Sequence, residues 1–357
     1  MTNRQNNEVK AKKPIKKGKK ITLTVLISLL SIFLAVAVTV SSLLYFGKKS
    51  STGGEVVITP TDNLQTEVDD DNIVTYNGKK YKYNDSISTV LCIGVDNTKR
   101  QSGGAYVTGR AGQADAIYLI VVDTASGKTN IIGIPRDSIT DVDLYSSAGT
   151  FIGSEKTQIC LSFAYGDGKQ KSAENTAKSV SRFLYGMPVN SYFAVDDKSI
   201  GTLHNAVGNI TVTPNETIEN YAIKFYKGQP FTVTGNNVFT YLQSRNDKTA
   251  DASLLRLERQ TDYLKKYSKA VINKTKSDIS FPVKLYNKIS KNAITDINVS
   301  KITFLATSVV KNKENIDVEF VSIKGEQKVG EDSFAEFYPD ENALFETVLD
   351  IFYEEVQ

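Results

Sequence analysis

The stretch "STVLCIGV", residues 88–95, is an apolar run that lacks the polar alternation of a half-exposed strand. Two runs of the same kind follow it, "AIYLIVVD" at 116–123 and "TNIIGIP" at 129–135. Continuous apolar runs of this length are typical of strands that are buried on both faces. They predict a central sheet with helices on both sides.

Helical patterns follow the third run. Residues 172–186 have apolar positions at helical spacing before a terminal glycine, and residues 252–272 have the pattern of a longer amphipathic helix. Strands that alternate with helices indicate an α/β fold, and we expect an α-β-α sandwich with a mixed central sheet. This domain is predicted over 86–275, and residues 276–357 are expected to pack on it as a C-terminal extension.

The N-terminal part has a different pattern. Residues 1–20 hold eight Lys or Arg against one Glu, and residues 21–46 contain no charged residue, Pro or Gly. A helix of about 20 residues crosses the roughly 30 Å hydrocarbon core, whereas a cleaved signal peptide has an apolar region of only about 7 to 15 residues. Because basic segments stay cytoplasmic, we expect a cytoplasmic tail, one transmembrane helix (21–46) and a domain outside the cell membrane. Residues 47–85 are expected to form an extracellular stalk, with a hairpin at Asn77-Gly78.

Composition narrows the function classes. The net charge is +3 at pH 7, and the whole positive excess lies in the N-terminal tail, so no nucleic-acid partner is indicated. His204 is the only histidine and no G-x-S-x-G motif accompanies it, which predicts a structural histidine. Without a Cys/His cluster, a zinc site is not indicated. Cys92 and Cys160 lie in apolar runs, where buried free thiols are favoured over a disulfide.

Charged residues stand where the predicted strands begin or end. Asp96 follows the first run, Asp115 precedes the second, and Arg136 and Asp137 follow the third. Pro135 fixes φ and aims these last two residues in one direction. Ligands of open α/β sheets bind in the crevice at the strand ends. A strand-end turn with a local Arg136–Asp137 ion pair is the alternative reading of "PRD".

Three arginines occur later in the chain, Arg245, Arg256 and Arg259. Because Arg256 and Arg259 are three positions apart, they share one helix face and indicate a two-arginine clamp for phosphate oxygens. Carboxylates suit a Mg²⁺ ion that bridges phosphates. The alternative is that these arginines are solvated helix-face charges. Neither a Walker A loop nor G-x-G-x-x-G is present, so a nucleotide is not the indicated ligand.

An ordered set of motifs resembles the LytR-CpsA-Psr family of membrane-anchored cell-wall transferases. The motifs are "VLCIGVD", "GQADAIYLIVVD", "IIGIPRDS", "KTQICLSFAYGDG", "SVSRFLYGMPVNSYFAVD", "LHNAVGNITV", "VTGNNVFTYLQSRND" and "LRLERQ". They lie in the family's order between residues 86 and 275. The basic tail, single anchor and stalk are similar to that family as well.

The resemblance implies a membrane-anchored, extracytoplasmic phosphotransferase. Such an enzyme attaches a polyprenyl-pyrophosphate-linked anionic glycopolymer, for example teichoic acid or capsule, to peptidoglycan, with Mg²⁺ as cofactor. It also implies a long hydrophobic pocket for the lipid, with charged residues at its mouth. Two alternatives stay open: a non-catalytic envelope scaffold or regulator that binds lipid-linked polymer, and a polyprenyl-pyrophosphate hydrolase.

The same resemblance implies roles for single residues. Asp96 and Asp115 would hold the metal, and Asp137 would orient Arg136 or assist proton transfer. Arg136, Asp137 and Asp115 form the implied catalytic set. The residues implied to bind phosphate are Arg136, Lys156, Arg245, Arg256 and Arg259.

The chain departs from the family pattern at three positions. Gln113 and Gln243 stand where many members have Arg, and Ser253 stands where the late motif usually has Asp. Arg110 and Asp251 lie close enough in sequence to compensate. These departures bear on the detailed site more than on the fold.

Overall fold

The structure, a computed structural model, describes residues 41–51, 56–95, 112–146, 148–246, 252–310, 316–331 and 333–357, with the backbone alone at 197 and 198. Its largest sheet has six strands, in the spatial order β14 (Ile294–Thr295), β9 (Tyr192–Val195), β4 (Ile87–Val95), β5 (Ala114–Asp123), β6 (Thr129–Ile134) and β15 (Val318–Ser322). Strand β5 is antiparallel to β4 and β6, whereas β9 is parallel to β4 and β15 is parallel to β6. The predicted mixed central sheet is confirmed.

The helices lie mainly on the two faces of this sheet. They are α1 (41–51), α2 (Leu161–Ala164), α3 (Gln170–Phe183), α4 (Asp197–Val207), α5 (Val238–Gln243), α6 (Ala252–Ser277), α7 (Phe281–Ile289), α8 (Val299–Val309) and α9 (Glu341–Phe352). Leu91 of β4 packs on one side in a core with α3 and α9. Its neighbour Val90 packs on the other side with α7 and α8. Both faces are therefore buried, which explains the continuous apolar runs.

The C-terminal part of the chain is integral to this architecture. It contributes strands β14 and β15 to the central sheet and helix α9 to the main core. Within α9, Phe345 and Phe352 are fully buried. The domain predicted over 86–275 therefore has no complete core without residues 276–357.

Residues 56–83 are part of the folded domain, whereas the sequence analysis expects them in a stalk. Strands β1 (Thr66–Val68), β2 (Val74–Tyr76) and β3 (Lys79–Tyr83) form an antiparallel sheet that is completed by β18 (Tyr353–Val356). Val74 and Tyr76 are buried in the main core, and the Tyr76 ring meets Phe345 edge-on. The strands are short and half exposed, so their composition looks like that of a linker. The expected turn at Asn77-Gly78 joins β2 to β3.

No helix among the described residues is both long and apolar enough to cross a membrane. Of the predicted transmembrane segment, residues 21–40 lie outside the described residues, and residues 41–46 are helical. The anchor therefore stays a prediction.

Two hairpins flank one edge of the central sheet. One consists of β7 (Ile139–Tyr145) and β8 (Phe151–Gln158), and the other of β16 (Gly325–Val329) and β17 (Ala335–Pro339). Two smaller antiparallel pairs, β10 (Ile210–Val212) with β13 (Phe231–Val233) and β11 (Ile218–Glu219) with β12 (Lys224–Phe225), build a second core with α5 and α6. Helix α6 lies between this second core and the central sheet, where the Thr261 and Tyr118 hydroxyls are 3.4 Å apart.

Candidate active site

The strand ends meet at one edge of the central sheet. Because β5 is antiparallel to both neighbours, its first residues lie beside the last residues of β4 and β6. Asp115 is the second residue of β5, and Arg136 follows two residues after β6 ends. Asp96 follows Val95 in the chain, and Val95 pairs with Ala114, but Asp96 itself lies outside the described residues.

Arg136 is held by several groups at this edge. Its Nη1 donates to the Asp115 carboxylate, and its Nη2 donates to Gln113 Oε1 at 2.5 Å and lies 3.2 Å from Cys160 Sγ. The side chain is 18% exposed. Burial alone lowers the pKa of Arg136, but Cys160, Asp115 and Asp137 together outweigh burial and the pKa is raised. The guanidinium is thus a permanent cation in a fixed orientation.

Asp137 has an ion-pair contact on one oxygen and a hydrogen bond on the other. Its Oδ1 lies 3.3 Å from Arg136 Nε, and its Oδ2 accepts a 2.5 Å hydrogen bond from Ser253 Oγ. The local Arg136–Asp137 ion pair considered from the sequence is therefore present. It exists together with the longer-range pairing of Arg136 with Asp115, so it does not make this segment a plain surface turn.

Arg256 lines a pocket next to this cluster. The pocket encloses about 430 Å³ of empty space, including its open mouth, and lies between β4, β5, α4, α5 and α6. Its apolar lining includes Val95, Ile200 and Phe239, and its charged lining is Asp115 and Arg256. Arg256 is only 5% exposed, and no hydrogen bond or ion pair joins it to a described residue. Burial lowers the pKa of Arg256 and the cations Arg136 and Arg245 add to this, although the Asp115 and Asp137 carboxylates act in the opposite direction.

A buried cation without a partner is costly. Arg256 stands at the polar end of a mainly apolar pocket, beside a second arginine that is already paired. The arrangement can accept an anion with an apolar tail, because the anion would supply the missing partner and the pocket would bury the tail.

Arg259 lies elsewhere. Its side chain is fully buried in the second core, where it donates to Glu216, to the Ser244 carbonyl and, at 3.0 Å, to the Tyr241 carbonyl. Its guanidinium also lies 5.4 Å from the centroid of the Phe225 ring. Arg259 therefore presents no donor to solvent, and the structure separates the two arginines of the expected clamp.

The other predicted phosphate ligands are exposed. Lys156 is on β8 opposite Asp141, and no described residue of the Arg136 cluster contacts it. Arg245 follows α5 and is close enough to Arg256 to affect its pKa. Gln243 lines the pocket near Arg256.

The atoms around Asp115 can be compared with the ligands that the implied Mg²⁺ ion prefers. Asp115 offers a carboxylate whose Oδ2 has no partner among the described residues, and Gln113 adds an amide oxygen, so the donors suit a hard cation. No group of three or more His, Cys, Asp or Glu side chains gathers within the described parts of the chain. Asp96, the second implied ligand, lies outside those parts.

Sequence reasoning missed several contacts of the cluster. Cys160 and Gln113 both contact Arg136, and Ser253 contacts Asp137. Gln327 donates a 3.0 Å hydrogen bond to Ser253 from strand β16. The departures at Gln113 and Ser253 marked two of these positions, but nothing in the sequence places Gln327 near residue 253.

The remaining polar candidates are structural. His204 is fully buried, and its Nδ1 lies 2.8 Å from the Tyr263 hydroxyl. Cys92 and Cys160 are both free, as expected. Burial raises the pKa of the Cys160 thiol to about 11, although Arg136 opposes this shift, so Cys160 is a neutral thiol at pH 7.

The fold and this edge define an α/β sandwich protein with a cationic site at the end of an apolar pocket. The chain belongs to the LytR_cpsA_psr family, whose sequence model matches residues 53–348. The match begins before the first strand of the N-terminal sheet, in agreement with the folding of residues 56–83.

Known relatives are similar over most of the chain. The protein named polyisoprenyl-teichoic acid–peptidoglycan teichoic acid transferase TagU from Oceanobacillus iheyensis is 22% identical over 275 residues, 76% of this chain and 78% of its own. The crystal structure of Bacillus subtilis TagV aligns with a TM-score of 0.55 at 22% identity, covering 74% of this chain and 95% of TagV. A structure of TagT bound to LI-WTA aligns with a TM-score of 0.53 at 18% identity, covering 74% of this chain and 89% of TagT.

Proposed function

We propose that this protein is a membrane-anchored, extracytoplasmic phosphotransferase that attaches an anionic glycopolymer from a polyprenyl-pyrophosphate carrier to peptidoglycan. The curated relative is named as a transferase of teichoic acid to peptidoglycan, and TagT, which shares the fold, has a structure bound to LI-WTA. Teichoic acid is therefore the first polymer to test. The uncharged run at 21–46 supports a single anchor with the domain outside the cell.

The observation that carries the proposal is the environment of Arg256. A cation that is 5% exposed, and that forms no hydrogen bond or ion pair with the described residues, stands in a mainly apolar pocket. A pyrophosphate on a prenyl chain has the matching chemistry, with a polyanionic head and a hydrocarbon tail. The head would pair with Arg256 and the tail would cover the apolar lining.

The reaction needs positioning and charge neutralisation more than covalent catalysis. A hydroxyl of the acceptor glycan would form a bond to the polymer-side phosphorus while the bond from this phosphorus to the bridging oxygen breaks. Polyprenyl monophosphate leaves, and the hydroxyl proton passes to solvent or to the leaving phosphate. Arg136 and Arg256 would stabilise the charge on the phosphate oxygens, and Asp115 and Asp137 would keep Arg136 oriented.

Mg²⁺ would be held by Asp115, together with Asp96 of the adjacent chain segment, and would neutralise pyrophosphate charge. Binding of Mg²⁺ by two carboxylates alone is weak, because this ion gives up its waters reluctantly. Arg245 and Lys156 are exposed and would reach the polymer side of the substrate.

The test is transfer of a lipid-linked teichoic acid to a peptidoglycan oligomer by the full-length chain in detergent, with products identified by mass spectrometry. We expect Arg256→Met to reduce kcat/KM by about 10²-fold or more, because one preorganised charge donor is lost. Lys266→Met on the same helix is the matched control, since Lys266 forms only an exposed pair with Asp262.

Three outcomes separate the functions considered. Polymer joined to the oligomer supports a transferase, and free polymer with a terminal phosphate supports a hydrolase. Binding of prenyl pyrophosphate without turnover supports a scaffold. Equal activities of Arg256→Met and Lys266→Met would contradict the assignment of the site.

A further inference from the structure

The C-terminal hairpin reaches the candidate site. Strand β15 runs parallel to β6, so the chain that follows it continues beyond the end of β6 as β16. The neighbouring strand β17 is tied to the segment after Arg136, because the Phe337 amide donates to the Asp137 carbonyl at 2.8 Å and Phe337 bridges to Ser138. The backbone of this hairpin thus holds the residues next to Arg136.

A chain of side-chain hydrogen bonds runs from the hairpin to Asp137. Gln327 Nε2 donates to Ser253 Oγ at 3.0 Å, and Ser253 Oγ donates to Asp137 Oδ2 at 2.5 Å. A serine hydroxyl has a single hydrogen, and the acceptor-only Asp137 carboxylate uses it. The Ser253 oxygen can therefore only accept a bond from Gln327, so the direction of both bonds is determined.

This chain of bonds limits what Asp137 can do. Its Oδ2 is bound by Ser253, its Oδ1 faces Arg136 Nε at 3.3 Å, and the side chain is 12% exposed. Arg136 Nε is itself buried and forms no hydrogen bond with the described residues, so its contact with Asp137 is an ion pair without hydrogen-bond geometry. A carboxylate hydrogen-bonded on one oxygen and paired with a guanidinium on the other supports its neighbour and is poorly placed to rotate toward a substrate hydroxyl.

We infer that Ser253 and Gln327 are positioning residues that fix the Asp137 carboxylate beside Arg136, so that the C-terminal hairpin is a working part of the site. Of the two roles implied for Asp137, orientation of Arg136 is the one this arrangement selects. The inference rests on the proposed function only where it uses transfer activity as a readout.

The test compares Ser253→Ala, Gln327→Ala and their double variant in the full-length chain in detergent. Each single change should lower kcat/KM for transfer about tenfold, because it removes a hydrogen bond in a chain that ends on a charged group. The double variant should lose no more activity than the less active of the two single variants, because both residues act through Asp137. Ser253→Thr keeps the hydroxyl and should recover most of the activity.

Matched controls come from the same elements. Ser268→Ala makes the same change on α6 at an exposed hydroxyl that donates to the Lys265 carbonyl of the same helix, and Glu326→Ala changes the exposed neighbour of Gln327. Both should transfer at the wild-type rate. A double variant that loses activity as the product of the single losses, about 10²-fold, would overturn the inference, since the two residues would then act independently.

A second readout does not require transferase activity. In protein labelled with ¹⁵N-arginine, the Nε–H signal of Arg136 is identified by its loss in Arg136→Lys. This signal should shift in Ser253→Ala and Gln327→Ala and stay in place in both controls. An unchanged signal in all variants would refute the positioning role, even if the wild-type protein transfers polymer. A shift in a protein that lacks transfer activity would support the positioning role and reject the proposed function.

Discussion

Replacing Arg259 tests whether this arginine supports the fold or binds phosphate. Arg259 forms a fully buried pair with Glu216 and donates to two backbone carbonyls. In Arg259→Ala, the Glu216 carboxylate stays in the second core without a cation, and it is only 8% exposed. Breaking a buried pair from one side costs about 3–5 kcal/mol. At about 2 °C per kcal/mol for a domain of this size, we expect Tm to fall by roughly 6–10 °C.

The double variant Arg259→Met with Glu216→Met separates the two roles. Both charges are gone and both replacements are apolar chains of similar length, so much of the lost stability should return, although two carbonyls lose a donor. Transfer activity per folded molecule should stay within about threefold of wild type. The assay is thermal melting together with transfer of lipid-linked polymer.

Arg256→Met is the informative comparison, because the same change is made one helical turn away on the same helix. Arg256 forms no hydrogen bond or ion pair within the described parts of the chain, so its removal should leave Tm unchanged or raise it while activity falls by about 10²-fold. A double variant that melts near the wild-type temperature but transfers polymer 10²-fold more slowly would refute the structural role of Arg259.

Three other changes test the architecture. Burial raises the pKa of Asp143, but hydrogen bonds from Ser154 and Arg182 outweigh it and the pKa is lowered. The stability from this group is fully present above the unfolded pKa of about 3.9 and is lost as the pH falls through the lower folded-state pKa. In urea unfolding, Asp143→Asn should be about 1–3 kcal/mol less stable than wild type at pH 7, and the difference should shrink as the pH falls below the unfolded pKa and through the lowered folded-state pKa. Both Gly186 and Gly228 have positive φ, and we expect Gly228→Ala to cost about 1 kcal/mol of stability. Gly186→Ala should cost more, because its added Cβ would also lie 2.7 Å from the Val57 carbonyl oxygen. A chain that begins at residue 86 should fail to melt cooperatively in calorimetry, whereas one that begins at residue 56 should melt like the full-length domain.

The central sheet was predictable because its signal is local. Three apolar runs became β4, β5 and β6, and the expected hairpin at Asn77-Gly78 joins β2 to β3. The N-terminal sheet was missed, because it is completed by β18 from the other end of the chain. Strands of three to five residues with alternating exposure carry too little pattern to predict a partner about 270 residues away.

The two helix arginines show where spacing alone becomes ambiguous. Positions three apart on an α-helix differ by about 60° around the axis. On a helix against one surface, both side chains would meet the same neighbours. Helix α6 lies between the pocket and the second core, so this rotation is enough to direct Arg256 to the pocket and Arg259 to Glu216. The residue types were predictable, but their surroundings depended on the packing of α6.

The departures at positions 113 and 253 have a joint physical reason. Gln113 accepts a hydrogen bond from Arg136, which an arginine at the same place could not do, and Ser253 donates to Asp137, which an ionised aspartate could not do. In the family pattern these positions carry opposite charges, so losing both leaves the net charge of the site unchanged. The neutral residues instead hold Arg136 and Asp137 in place. At position 243 no second change offsets the loss of the positive charge, and Gln243 lines the pocket beside Arg256. If the proposed function is correct, binding of a prenyl pyrophosphate should therefore depend more heavily on Arg256 here than in members with an arginine at that position.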